Sequence, residues 1–194
     1  MKTYNKRYLL VILLVVLVTN FGCQNKDKEI PPFFNGLYFR YKVTTSSGSY
    51  EELFTIKEMR SGYEITEERL TPVFPEKVNN IVDIYGFIKE SAEIKETGKK
   101  TRSIKWHKGR RICIWIPPKE LKIDNKFETS LGNFRAVEQT TWESWDVWVL
   151  QDSHGNKCFY DRETGFYVGI QSVSAGLVGS MKKILIETNA DIPH

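Results

Sequence analysis

Few residues of this chain fall into patterns that do chemistry, and the most suggestive are two cysteines and two histidines. Cys113 and Cys158 stand 45 residues apart. In an oxidising compartment they could form a disulfide, which by chain entropy would contribute about 4 kcal/mol; otherwise they are two buried free thiols. His107 precedes Cys113 by six positions and His154 precedes Cys158 by four, so a Cys₂His₂ zinc site needs two adjoining hairpins. Those spacings match no short-loop zinc module. Asp152-Ser153-His154 places three triad residue types side by side, but without a G-x-S-x-G elbow it reads as a tight turn. Glu51-Glu52 and Glu67-Glu68 are pairs in sequence only, because neighbours on a strand face opposite sides. They are expected at solvated positions. No Walker, Rossmann or EF-hand pattern occurs, and no catalytic residue, cofactor or metal is expected.

The third cysteine, Cys23, sits behind a different feature. Lys2, Lys6 and Arg7 precede an apolar run from Tyr8 to Val18, the layout of an export signal. Eleven residues are too few to cross a bilayer core, which takes about 20. The run closes on Asn20-Phe21-Gly22-Cys23, with no A-x-A-like site before Lys26. This segment resembles a prokaryotic lipoprotein signal, although Asn20 and Phe21 stand where that family carries an aliphatic and a small residue. The resemblance implies cleavage before Cys23, its acylation (palmitate or a similar chain) and a lipid-anchored place on the outer side of the cell membrane or in the outer membrane. Two other readings are an uncleaved signal anchor with Cys23 as bystander, and ordinary secretion.

The expected organisation is a signal over 1–22, a lipidated cysteine and flexible tether over 23–32, and a folded body over 33–194. Extended, Gln24 to Pro32 reaches about 30 Å. The charge changes meaning accordingly. The chain carries 28 Lys+Arg against 24 Asp+Glu, but without the three signal residues 25 face 24. A near-neutral body lacks the basic charge that nucleic-acid binding needs, so no nucleic-acid partner is expected.

From Phe33 onward, period-two alternation dominates. Leu37, Phe39, Tyr41 and Val43 alternate with Tyr38, Arg40, Lys42 and Thr44, the pattern of a half-buried strand. Further strands are expected over 52–59, 63–70, 81–94, 101–106, 110–116, 134–142, 145–151, 157–160, 166–173 and 182–188, joined by Gly-, Asp- and Ser-rich turns. One short helix is expected at Glu76–Asn80 or Glu90–Glu96. About ten strands with hairpin-length links predict an all-β body with minor helix, built as one strongly curved antiparallel sheet or partial barrel.

Five tryptophans, Trp106, Trp115, Trp142, Trp145 and Trp148, could fill a core, line a cavity or stack on sugars. Trp148 and Leu150 share one strand face while Trp145, Val147 and Val149 share the other, which predicts a strand covered on both sides. The stretch WDVWVLQDSHGNKCFYDRETGFYVGI, with its Tyr160-Asp161-x-x-Thr164-Gly165 hairpin, resembles the C-terminal part of LolA-like outer-membrane lipoprotein-sorting proteins. That resemblance implies a curved half-barrel that shelters acyl chains, and no catalytic residues. The leading expectation is therefore a non-enzymatic binding or carrier lipoprotein for an apolar ligand, lined by Phe39, Tyr41, Trp148 and Phe166. The alternatives are an envelope interaction lipoprotein with a solid core, and a sugar-binding or hydrolytic domain using Glu138 and Glu143.

Overall fold

The computed structural model describes residues 28–70, 76–94, 99–173 and 179–193. Alternating sequences become strands: β1 (Tyr38–Thr45), β2 (Gly48–Met59), β3 (Gly62–Leu70), β4 (Glu76–Val82), β5 (Ile88–Ile94), β6 (Lys100–Ser103), β7 (Lys126–Thr129), β8 (Gly132–Trp142), β9 (Trp145–Gln151), β10 (Lys157–Asp161), β11 (Tyr167–Ser172) and β12 (Met181–Thr188). They form one antiparallel sheet in the order β6-β5-β4-β3-β2-β1-β12-β11-β10-β9-β8-β7. The body is all-β, as the alternation predicts, and of the expected curved sheet or partial barrel it forms an open sheet. Two six-stranded meanders run outward from a central seam where β1 pairs with β12, Val43 facing Lys183.

Glu76–Asn80 lies in strand β4 and the described part of the other candidate helix, Glu90–Ile94, in β5, while Ile81–Ile94 is a hairpin rather than one strand. Asp83 makes that turn: its Oδ1 accepts from the backbone N–H groups of Tyr85 and Phe87. The short edge strand β7, with Phe127 buried, carries too little alternation to be seen in sequence.

The largest departure concerns 110–116. Its apolar run Ile112-Cys113-Ile114-Trp115-Ile116 is not a sheet strand but part of the crossover from β6 to β7. The crossover first stitches the two sides of the sheet together. Gly109 donates to the Ile88 carbonyl and Ile88 to that of Arg110, while Arg111 donates to the Glu128 carbonyl and Ser130 to that of Arg111. One residue thus bridges β5's approach and β7, which requires the twelve strands to wrap around. The chain then enters the concave side, where Tyr167 donates to the Ile114 carbonyl and Ile116 to that of Gly165. Ile112 to Ile116 are at most 2% exposed. A run buried on all sides shows no alternation of environment, so its sequence resembles a core strand.

Candidate functional site

The crossover and the wall it meets define the interior. Phe39, Tyr41, Trp148 and Phe166, the expected cavity lining, all lie buried on the concave face. Phe39 and Phe166 rings are 5.1 Å apart, and Tyr41 lies 5.6 Å from Phe54 and 5.4 Å from Tyr167. Three polar tips of interior aromatics are tied to backbone, as burial favours. The Tyr41 hydroxyl donates to the Tyr167 carbonyl at 2.8 Å, Tyr160 to the Cys113 carbonyl at 2.9 Å, and Trp115 Nε1 to the Thr164 carbonyl at 3.0 Å.

The Tyr160–Gly165 motif therefore anchors the crossover. Asp161 Oδ1 accepts from Thr164 N at 2.7 Å and Thr164 Oγ1 at 2.6 Å, which fixes the hairpin. Gly165 has φ +73°, and a Cβ there would stand 1.9 Å from the Ile116 carbonyl oxygen. Only glycine lets the two backbones meet.

One side of the interior is polar. Glu52 and Lys183 form an ion pair with both side chains at most 6% exposed, and Arg69 Nε lies 3.6 Å from Glu52. Glu52 is thus a correction to its expected solvated position. It keeps the phase of Phe54 and Ile56 on β2, as Lys183 keeps the phase of Leu185 on β12. A charged residue at an apolar-phase position was the available sequence signal, and the separation of 131 positions between the two concealed the pairing. Burial pulls the Lys183 pKa down, but the Glu52 and Glu67 carboxylates outweigh it and hold it above the ordinary lysine value. Glu67 is half-exposed by surface, yet its carboxyl lies deep enough that burial raises its pKa against the pull of Lys183.

Cys113 and Cys158 adjoin this cluster as buried free thiols. Burial, aided by Glu67, pushes the Cys113 pKa up to about 12, and burial with the neighbouring Cys113 pushes Cys158 well above its usual value. Both stay protonated at neutral pH, where a nucleophile or metal ligand needs thiolate. The Tyr167 hydroxyl is buried with no hydrogen-bond partner. The interior thus holds a paired Glu52–Lys183 charge beside two protonated thiols.

The other candidates lie apart. His107 is buried and Nδ1 lies 2.9 Å from Ser91 Oγ; burial and Arg110 lower its pKa. His154 is exposed on the turn that Asp152 organises by accepting from His154 N and Asn156 N. Among the described residues no group of three or more His, Cys, Asp or Glu could hold a metal, so the zinc arrangement does not assemble. Glu138 pairs with Lys157 and Glu143 with Lys182, each carboxylate partnered by a lysine. Trp142 stacks on Phe159 at 4.0 Å on the convex face, over Gly169, where a Cβ would meet the Trp142 ring at 2.6 Å. Trp145, Val147 and Val149 are buried on that face, so β9 is covered on both sides. Cys23 lies outside the described residues, and among those described no helix is long and apolar enough to cross a membrane. Comparison with known proteins finds no matching family model and no matching curated protein.

Proposed function

We propose that this chain is a membrane-anchored, extracytoplasmic lipoprotein whose β domain acts as a solid-cored interaction module of the cell envelope. The observation that carries this reading over a hollow carrier is the crossover: Ile112 to Ile116 occupy the concave side that an acyl chain would need. The anchor itself rests on the resemblance of Asn20-Phe21-Gly22-Cys23 to a lipoprotein signal. Lipid analysis of the protein purified from its membrane tests the solid core. No lipid beyond the covalent acyl chains, and no melting shift with added fatty acids, is expected; a stoichiometric bound lipid would sink the reading.

A second reading keeps an apolar ligand but moves it to the rim. Pro32, Phe34, Thr164, Phe166, Ala190 and Asp191 line an open groove of about 370 Å³. There Phe166, one of the expected lining residues, faces a space that is still free. If fatty acids raise the melting temperature and Phe34→Ala removes the effect, the groove is the site.

A further inference from the structure

The near-neutral total conceals a strongly basic run. From Lys99 to Lys119 the chain has eight Lys or Arg and no acidic residue. Four of these cations are neutralised: Lys100 by Glu90, Arg102 by Glu93, Arg111 by Glu120 and Lys119 by Glu29. Lys99, Lys105 and Lys108 are exposed and have no ion-pair partner among the described residues. Among the described residues Arg110 binds only neutral groups, the Asn133 side chain and the Thr129 carbonyl, and its guanidinium lies 5.5 Å from the Trp106 ring centre.

Trp106 is 57% exposed, whereas Trp115, Trp145 and Trp148 are buried and Trp142 is half-buried. A large aromatic held in water among cations is a poor choice for a free surface and a good one for a membrane interface, where the indole sits at headgroup level. Lys residues also protect sheet edges from pairing, which accounts for Lys99 and Lys100 at the start of β6. It does not account for Trp106, Lys105 and Lys108, which lie beyond that strand.

The position of Lys28 to Pro31 supplies the second argument. The expected tether is partly laid on the domain: Lys28 Nζ lies 5.1 Å from the Phe87 ring centre and 5.5 Å from that of Tyr85, Glu29 pairs with Lys119, and Pro31 is buried. Arg111 lies over the same Phe87 ring at 5.0 Å. The described chain therefore begins beside the basic crossover. Lys28 stands only five positions after Cys23, a reach of at most about 18 Å. Exposed Ile30 and Ile84 border this region, Pro31 packing 3.4 Å from the position of a Cβ on Gly86.

We infer that the Trp106 patch, with Lys105, Lys108 and Arg110, seats on the anionic surface of the membrane that holds the lipid anchor. The inference rests on the anchored reading above. It assigns the domain a fixed orientation, with the crossover toward the bilayer, and makes the occupant a lipid surface rather than a soluble ligand.

The test uses the protein extracted from its membrane and reconstituted into vesicles of phosphatidylcholine, alone or with phosphatidylglycerol, each with and without brominated lipid. Intact mass and flotation with neutral vesicles report the anchor. Tryptophan quenching by brominated lipid reports the patch. Quenching is expected in the anionic vesicles, and Trp106→Phe should abolish it. Replacing Lys105, Lys108 and Arg110 by Gln should shift the seated-to-free ratio on the order of a hundredfold, at about fivefold per surface-proximal cation. These side chains are exposed or half-exposed, and an unchanged melting temperature verifies the fold of each variant. An acylated, floating protein with no Trp106 quenching overturns the inference and leaves the anchor standing. An unacylated protein that does not float on neutral vesicles overturns the anchor, while Trp106 quenching on anionic vesicles would still support the patch. A Trp106 emission change with soluble dextran sulfate, without quenching on any bilayer, assigns the patch to an anionic polymer and overturns the lipid surface.

Discussion

The two meanders share a strand count and a topology but solve the problem of their outer faces differently. In the first, β1 to β6, cross-strand ion pairs such as Arg40–Glu51, Lys57–Glu64 and Lys77–Glu68 leave the strands wet on one side. In the second, Trp145, Val147, Val149 and Phe159 are buried on the convex face. Their cover includes Trp142, from the tip of the β8–β9 hairpin, with Lys182 pairing Glu143 above it. The crossover ends against this second half, at Gly165 and Tyr167. A two-sided apolar half thus carries the permanent packing, and a one-sided polar half completes the wrap. Exposed ion pairs contribute at most about 1 kcal/mol each, whereas a buried aromatic contributes several.

Substitutions sharpen this contrast. Trp115→Ala, which empties the crossover's contact with the second half, should cost about 3–5 kcal/mol in urea unfolding. Lys183→Met at the seam should cost about 3 kcal/mol because Glu52 loses its buried partner and keeps only the longer contact to Arg69 Nε at 3.6 Å; adding Glu52→Leu should return most of that loss. If the double variant is no more stable than the single one, the pair is not the source of the cost.

Alkaline pH probes the same interior. Cys113 keeps its proton in the fold to about 12, while the unfolded thiol loses it near its reference value of 9.0. The folded state then binds more protons than the unfolded one, so stability falls as pH rises through that window. The loss should reach about 2–3 kcal/mol by pH 11, and Cys113→Ala should flatten the slope. Lys183, with its raised pKa, contributes stability that is present below its unfolded pKa and lost as pH passes its folded one, in the same direction.

On the outer faces the two halves should part most clearly. Trp142→Ala should cost about 2 kcal/mol, roughly half the value of a fully buried tryptophan. Lys77→Ala, breaking an exposed pair with Glu68, should cost about 0.5 kcal/mol or less. Equal costs at Trp142 and Lys77 would break the comparison.

Several of these features were legible before any fold was known. The alternation in β1 placed Phe39, Tyr41 and Val43 inward, and the two apolar faces of β9 announced cover on both sides. The turn chemistry of Asp161 to Gly165 marked a hairpin, although not its partner in the crossover. Glu76–Asn80 and Glu90–Ile94 are strand where a helix was expected, because short mixed segments carry no period strong enough to separate helix from strand.

The sequence by itself determined an antiparallel all-β body, since residue alternation and turn types are local properties that each strand carries alone. Only the tertiary structure decided that Ile112 to Ile116 leave the sheet and fill it, that Glu52 meets Lys183, and that Lys28 and Arg111 share the Phe87 ring. The physical reason is one of range. A side chain's inward or outward facing is set by its two neighbours, whereas its partner across the interior is set by how twelve strands twist and wrap, to which every residue contributes a little and none a readable signal.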